Sequence, residues 1–207
     1  MTPAGLPGNG TEQEMSENAI GRLMKKAADL GAADVRVVLV SQIPVQDDIV
    51  ELCMPPQCDG YGQSANCPPH SMTPAEFREL LTGYDCAVVF KVEAPMEILL
   101  SDEKDSVGRL VQETAAALER FAIELGYPAS RALAGDCCKR LFCNDHERCN
   151  VIYGGGECRN PEKARTSMSG LGVNFNRLNR VLGWQASGET DEGAGAMGMM
   201  VGMVLVG

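Results

Sequence analysis

Apolar residues recur at three- and four-residue spacing over residues 12 to 30, where Ile20, Leu23, Met24, Ala27 and Leu30 share one face. That period predicts an amphipathic helix, and Gly31 is placed to stop it. Asp34 to Val40 is rich in β-branched residues and predicts a strand, and a second short strand is expected over Ile49 to Cys53. Thr73-Pro74-Ala75-Glu76 combines a capping threonine, an early proline and a glutamate three residues on, and so starts a helix running to about Leu81. Cys86 to Val92 reads as a strand. Asp102 to Leu125 reads as a long amphipathic helix ended by Gly126 and Pro128. A short strand over Ala129 to Ala134 follows. Two short helices are expected near Lys163 to Gly170 and Asn174 to Leu182, and Met197 to Val206 completes the sheet as a buried strand.

Strands alternating with helices predict an α/β fold, a small mixed sheet of four to five strands flanked by helices. A chain of 207 residues is long enough for one domain with its own core, taken as residues 12–207 behind a Pro- and Gly-rich tail over residues 1–11. The strand order cannot be read from the pattern. Ser187 to Gly195 is polar and expected to be a loop.

Two stretches break the periodicity, residues 53–72 and residues 135–161, and both are dense in cysteine, glycine and proline. The first carries Cys53, Cys58 and Cys67, followed by Pro68 and Pro69. The second carries Cys138, Cys143, Cys149 and Cys158, with Cys137 as a neighbour. The spacings x4 and x8 occur in both. These seven cysteines are the expected metal ligands, because thiolates are soft, charged ligands suited to zinc and to iron–sulfur iron. Gly60, Gly62 and the Gly154-Gly155-Gly156 run permit the bends that bring several sulfurs to one centre.

Net charge and compartment sharpen this reading. The formal charge is −10, opposite to the balance of nucleic-acid binders. No basic, apolar leader precedes residue 10, and Met197 to Val206 is too short to span a membrane, which together predict a cytoplasmic protein. Nine cysteines in a reducing compartment point to metal or catalysis in preference to disulfides. Lys139, Arg140, Arg148, Arg159, Lys163 and Arg165 gather around the second loop and are expected to offset thiolate charge there.

Iron–sulfur, as one or two 4Fe–4S clusters, stands ahead of zinc, because most gaps exceed those of zinc knuckles and Cys67 precedes proline. Cys86 opens an apolar strand and reads as core, and Cys137 as a spare thiol. His70 and His146 read as solvated, and the C-terminal methionines as core or interface filling. The triple glycine lacks the lysine and hydroxyl residue of a phosphate loop, and no serine–histidine–aspartate or zinc-protease pattern is present.

Cys58-x2-Tyr61-Gly62, Cys67-Pro68-Pro69-His70, Pro74-x2-Phe77, Gly135-x2-Cys138-Lys139, Phe142-Cys143, Cys158-Arg159-x-Pro161, Ala164-Arg165-x-Ser167-Met168 and Gly172-Val173-Asn174 together form a specific set. Over about residues 34 to 185 the chain resembles the predicted metal-binding proteins of domain of unknown function 2284. It departs from their pattern at Thr166, where proline is common, and at Ser169-Gly170, where glutamate–alanine is common. The resemblance implies a metal site built from these cysteines, most plausibly iron–sulfur. It also implies a setting in anaerobes beside corrinoid-dependent methyl transfer. The leading function is thus an accessory electron-transfer protein with a protein redox partner. The alternatives are a structural zinc module that binds a partner, and an enzyme whose three-cysteine loop leaves a coordination position open.

Overall fold

The computed structural model describes residues 10–184 and 196–207. Most of the expected N-terminal tail and the expected loop Ser187 to Gly195 lie outside the described residues. The elements are α1 (Gly10–Asp29), β1 (Asp34–Leu39), α2 (Pro74–Leu81), β2 (Cys86–Pro95), α3 (Met96–Leu99), α4 (Lys104–Glu124), β3 (Arg131–Ala134), α5 (Cys138–Phe142), α6 (Asn150–Tyr153), β4 (Thr166–Ser167), α7 (Phe175–Leu182) and β5 (Met197–Val206). They form a mixed α/β fold around one five-stranded sheet in the order β1-β2-β5-β3-β4. All neighbours are antiparallel except β3 and β4.

Strand alternation divides the core in two. Val88, Phe90 and Val92 of β2 and Val204 of β5 point to the face covered by α1 and α4, where Leu23, Val111 and Leu118 meet them. Ala87 and Val89 of β2 and Val201, Met203 and Leu205 of β5 point the other way, onto Phe77, Met168 and Leu178. β5 thus lies in the middle of the sheet, which explains its unbroken apolar sequence. Cys86 packs partly buried against the first of these clusters. The cap expected at α2 is present: the Thr73 hydroxyl accepts from the Glu76 amide, and Glu76 accepts from the Thr73 amide at 2.7 Å.

Two expected elements are replaced. Residues Asp47–Cys53 form a 3-10 helix where a strand was expected, with Asp47 and Asp48 in its first turn, where negative charge meets unsatisfied amides. The helix expected near Lys163 to Gly170 is instead the short strand β4 followed by the 3-10 turn Ser169–Leu171. Its backbone pairs with β3, and Gly172 (φ +84°) turns it away beside the Gln46 carbonyl. Parallel strands need a long crossover connection. Here the crossover between β3 and β4 is the second cysteine loop itself.

Candidate metal centre

The site lies off the C-terminal end of β3, at the β4 edge. The chain leaves β3 through Gly135, whose amide bonds the Val201 carbonyl, and then Asp136, the one non-glycine residue in the left-handed region (φ +72°) among the described residues. A short polar side chain tolerates that conformation. The Asp136 carboxylate accepts from the Cys137 amide at 2.6 Å and from Arg140 at 2.6 Å, and Arg140 also pairs with Asp105 at 3.0 Å. The fully buried Gln112 of α4 donates to the Gly135 carbonyl at 3.1 Å and accepts from the Arg165 amide at 2.7 Å. This turn delivers Cys137 and Cys138 in succession.

The two sulfurs enter different cavities. Cys53, Cys58, Cys67 and Cys137 line one of about 280 Å³. Cys138, Cys143, Cys149 and Cys158 line another of about 200 Å³. All seven cysteines singled out in the sequence are therefore drawn into two sets, and Cys137, read there as a spare, completes the first set. Adjacent residues point their side chains apart, so a Cys-Cys pair suits two sites better than one, and this was the sequence signal for it. Gly60 makes the approach possible: a Cβ there would stand 2.9 Å from the Cys137 Cβ, 3.2 Å from its Sγ and 3.4 Å from the Cys58 Sγ.

All nine cysteines are free thiols. Among the described residues no group of three or more His, Cys, Asp or Glu side chains is arranged to hold a single metal ion. Each thiol set stands around a volume larger than a bare ion. His70 and His146 are exposed and line neither cavity.

Polar groups are directed at the sulfurs. Asn66 of the first loop donates to Cys138 at 3.4 Å, while its carbonyl accepts from the Ser167 amide and its side-chain oxygen from Thr166. Asn160 donates through its side chain to Cys143 at 3.1 Å and through its amide to Cys158 at 3.4 Å. Lys104 and Arg140 line the first cavity, and Lys139 and Arg159 the second. The expected basic ring around the second loop is thus smaller than the sequence implied. Lys163 and Arg165 pair with Glu113 and Glu119 of α4, and Arg148 stacks on Tyr153.

The thiols differ in acidity. Burial raises Cys53 and lifts Cys138 to about 11, opposed at Cys138 by hydrogen bonds from Ser64 and Asn66. Cys67 and Cys137 shift in opposite directions. The hydrogen bond from Cys67 brings Cys137 down to about 6, with help from the Arg140 and Lys139 amides, and the same bond, with burial, pushes Cys67 up. Buried thiols of raised pKa release their protons readily only when a positive centre replaces them.

A larger cavity of about 430 Å³ shares Asp136 and Ser169 with the first and is walled by Met96, Leu99, Phe175, Met199 and Met200. Met203 is buried in the core, as expected, whereas Met199 and Met200 are half-buried at this cavity.

Among the described residues, no helix is long and apolar enough to cross a membrane. No curated protein and no solved structure matches the chain. A family model described as "Predicted metal-binding protein (DUF2284)" matches residues 36–206, which takes in both thiol cavities and every strand but the first residues of β1. The chain therefore belongs to the DUF2284 family of predicted metal-binding proteins.

Proposed function

We propose that this protein holds two iron–sulfur clusters of the 4Fe–4S type and acts as an electron-transfer protein for a partner enzyme. The observation that carries the reading is the sorting of eight cysteines into two cavities of four. Cys53, Cys58, Cys67 and Cys137 would hold one cluster and Cys138, Cys143, Cys149 and Cys158 the other. Cysteine thiolates are the ligands these clusters take, and the clusters supply reversible one-electron chemistry. Tetrahedral zinc would need the sulfurs about 2.3 Å from the metal and hence within about 4 Å of one another. Four thiols lining each of two cavities, of about 280 and about 200 Å³, support a multi-atom group.

The chain's own residues would hold and tune the clusters. Lys104 offsets negative charge at the first, and N–H donors from Asn66 and Asn160 do so at the second. Exposed Leu52 and Met54 flank Cys53, and exposed Val151 and Tyr153 lie just after Cys149. These apolar residues give a protein redox partner something to dock on. Corrinoid-dependent methyl transfer is the setting that the family resemblance implies. The test is reversible redox chemistry: anaerobically purified protein should be brown, bleach with dithionite and recover on mild oxidation. A colourless protein that binds zinc and shows no such cycle would instead support the structural zinc reading.

Hydrogen bonds to cluster sulfurs stabilise the reduced, more negative state. Asn160→Ala should therefore shift one of two reduction potentials to more negative values and leave the other in place, with metal content unchanged. Redox titration of wild type and variant checks this.

An enzyme remains the second reading, favoured by the 430 Å³ cavity that meets the first thiol cavity at Asp136 and Ser169. Because Cys137 supplies a fourth thiol, that reading rests on this neighbouring space, not on an open coordination position.

A further inference from the structure

We propose that Cys137, Cys138 and Ser64 form a shared wall that couples the two metal centres electronically, so that the protein carries one two-centre unit and not two independent sites. This deepens the proposed function and rests on both thiol sets being iron–sulfur ligands. Cys137 lines only the first cavity and Cys138 only the second, yet they are consecutive residues, with Cα atoms about 3.8 Å apart across a trans peptide. A covalent path from one centre to the other thus runs through a single peptide unit.

A second path runs beside it. Ser64 is 1% exposed and lines the second cavity, and its carbonyl accepts from the amide of Cys67, of the first set, at 3.1 Å. Asn66 holds this segment in place by accepting from Thr166 and donating to Cys138. Cys53, Cys67, Cys137 and Cys138 are buried, whereas Cys58, Cys143, Cys149 and Cys158 are half-buried. The adjacent Cys137 and Cys138 thus meet in a dry region, and each set also has at least one wetter sulfur, Cys58 in the first and Cys143, Cys149 and Cys158 in the second. An external low-potential one-electron donor can reach one centre on that wetter side and an acceptor the other. The exchange between them moves one electron, and no bond or proton is made, broken or transferred.

The experiment is electron paramagnetic resonance on the full-length chain, purified anaerobically with both sites loaded and reduced with dithionite until two spins per chain are counted. The expected spectrum is broadened and split by spin–spin interaction, and the splitting keeps its width in field units at two microwave frequencies. Cys137→Ser and Cys149→Ser, each lacking one centre, should give a narrow single-cluster signal. The two-frequency measurement needs wild type alone, so it stands even if a variant fails to fold. Two sharp signals whose separation scales with frequency would overturn the coupling while leaving the two-cluster reading intact. A preparation without iron or sulfide would overturn both.

Discussion

Replacing Cys137 with serine removes one metal centre and leaves the other. Iron should fall by half, from about eight to about four atoms per chain for two cubane clusters. The reason is positional. Cys137 reaches the first cavity alone, and Gly60 is the residue that lets its sulfur stand beside Cys58. Cys138 continues into α5, where the adjacent second cavity keeps its own four thiols. Serine conserves shape and supplies a much poorer ligand, so the loss reads as ligation and not packing. Metal analysis with visible absorption checks it. Retention of full iron would mean that Cys137 is not a ligand. Cys86→Ser is the matched control, since Cys86 lies on β2 among core residues and lines neither cavity; it should keep all metal.

Gln112→Ala should lower stability by about 3 kcal/mol, because it strands two part-buried backbone partners and leaves a cavity. Gln112 is fully buried and is the one side chain that ties α4 both to the Gly135 carbonyl and to the Arg165 amide. Those partners flank the Asp136 turn and the entry to β4, so the same change should loosen the first thiol set before the second. The denaturant midpoint should fall at unchanged slope, and metal should be lost first from the centre that Cys137→Ser removes. A shift below about 0.5 kcal/mol, the level of an ordinary surface substitution, would show that Gln112 does not hold the turn.

Much of the fold was legible because its long elements are strongly periodic. α1, α4 and the β2 and β5 strands sit where their apolar patterns place them, and the Thr73 cap marks the start of α2. The 3-10 helix Asp47–Cys53 was hidden by Ile49 and Val50, whose β-branched side chains argue for a strand, whereas the acidic pair before them favours a helical turn. β4 was not legible at all. Two residues of strand, defined by pairing with Leu133 and Ala134, leave no period to read. At the site, seven cysteines were found from composition and spacing. Cys137 was set aside because two adjacent cysteines are crowded at one centre, whereas in the structure Cys137 and Cys138 line separate cavities. The sorting into two sets follows the two loops distinguished in the sequence, except that Cys137 of the second loop lines the first cavity. Cys137 lies 70 residues after Cys67, and the two loops are tied together through Asn66, which bonds Ser167, Thr166 and Cys138.

The central claim is that sulfur atoms from the two loops hold two multi-iron clusters. Iron, inorganic sulfide and zinc, measured together on anaerobically prepared wild-type protein, test it most directly. The account predicts about eight irons and a matching amount of acid-labile sulfide per chain, with zinc only in traces. One or two zinc ions per chain, with no sulfide, would contradict it.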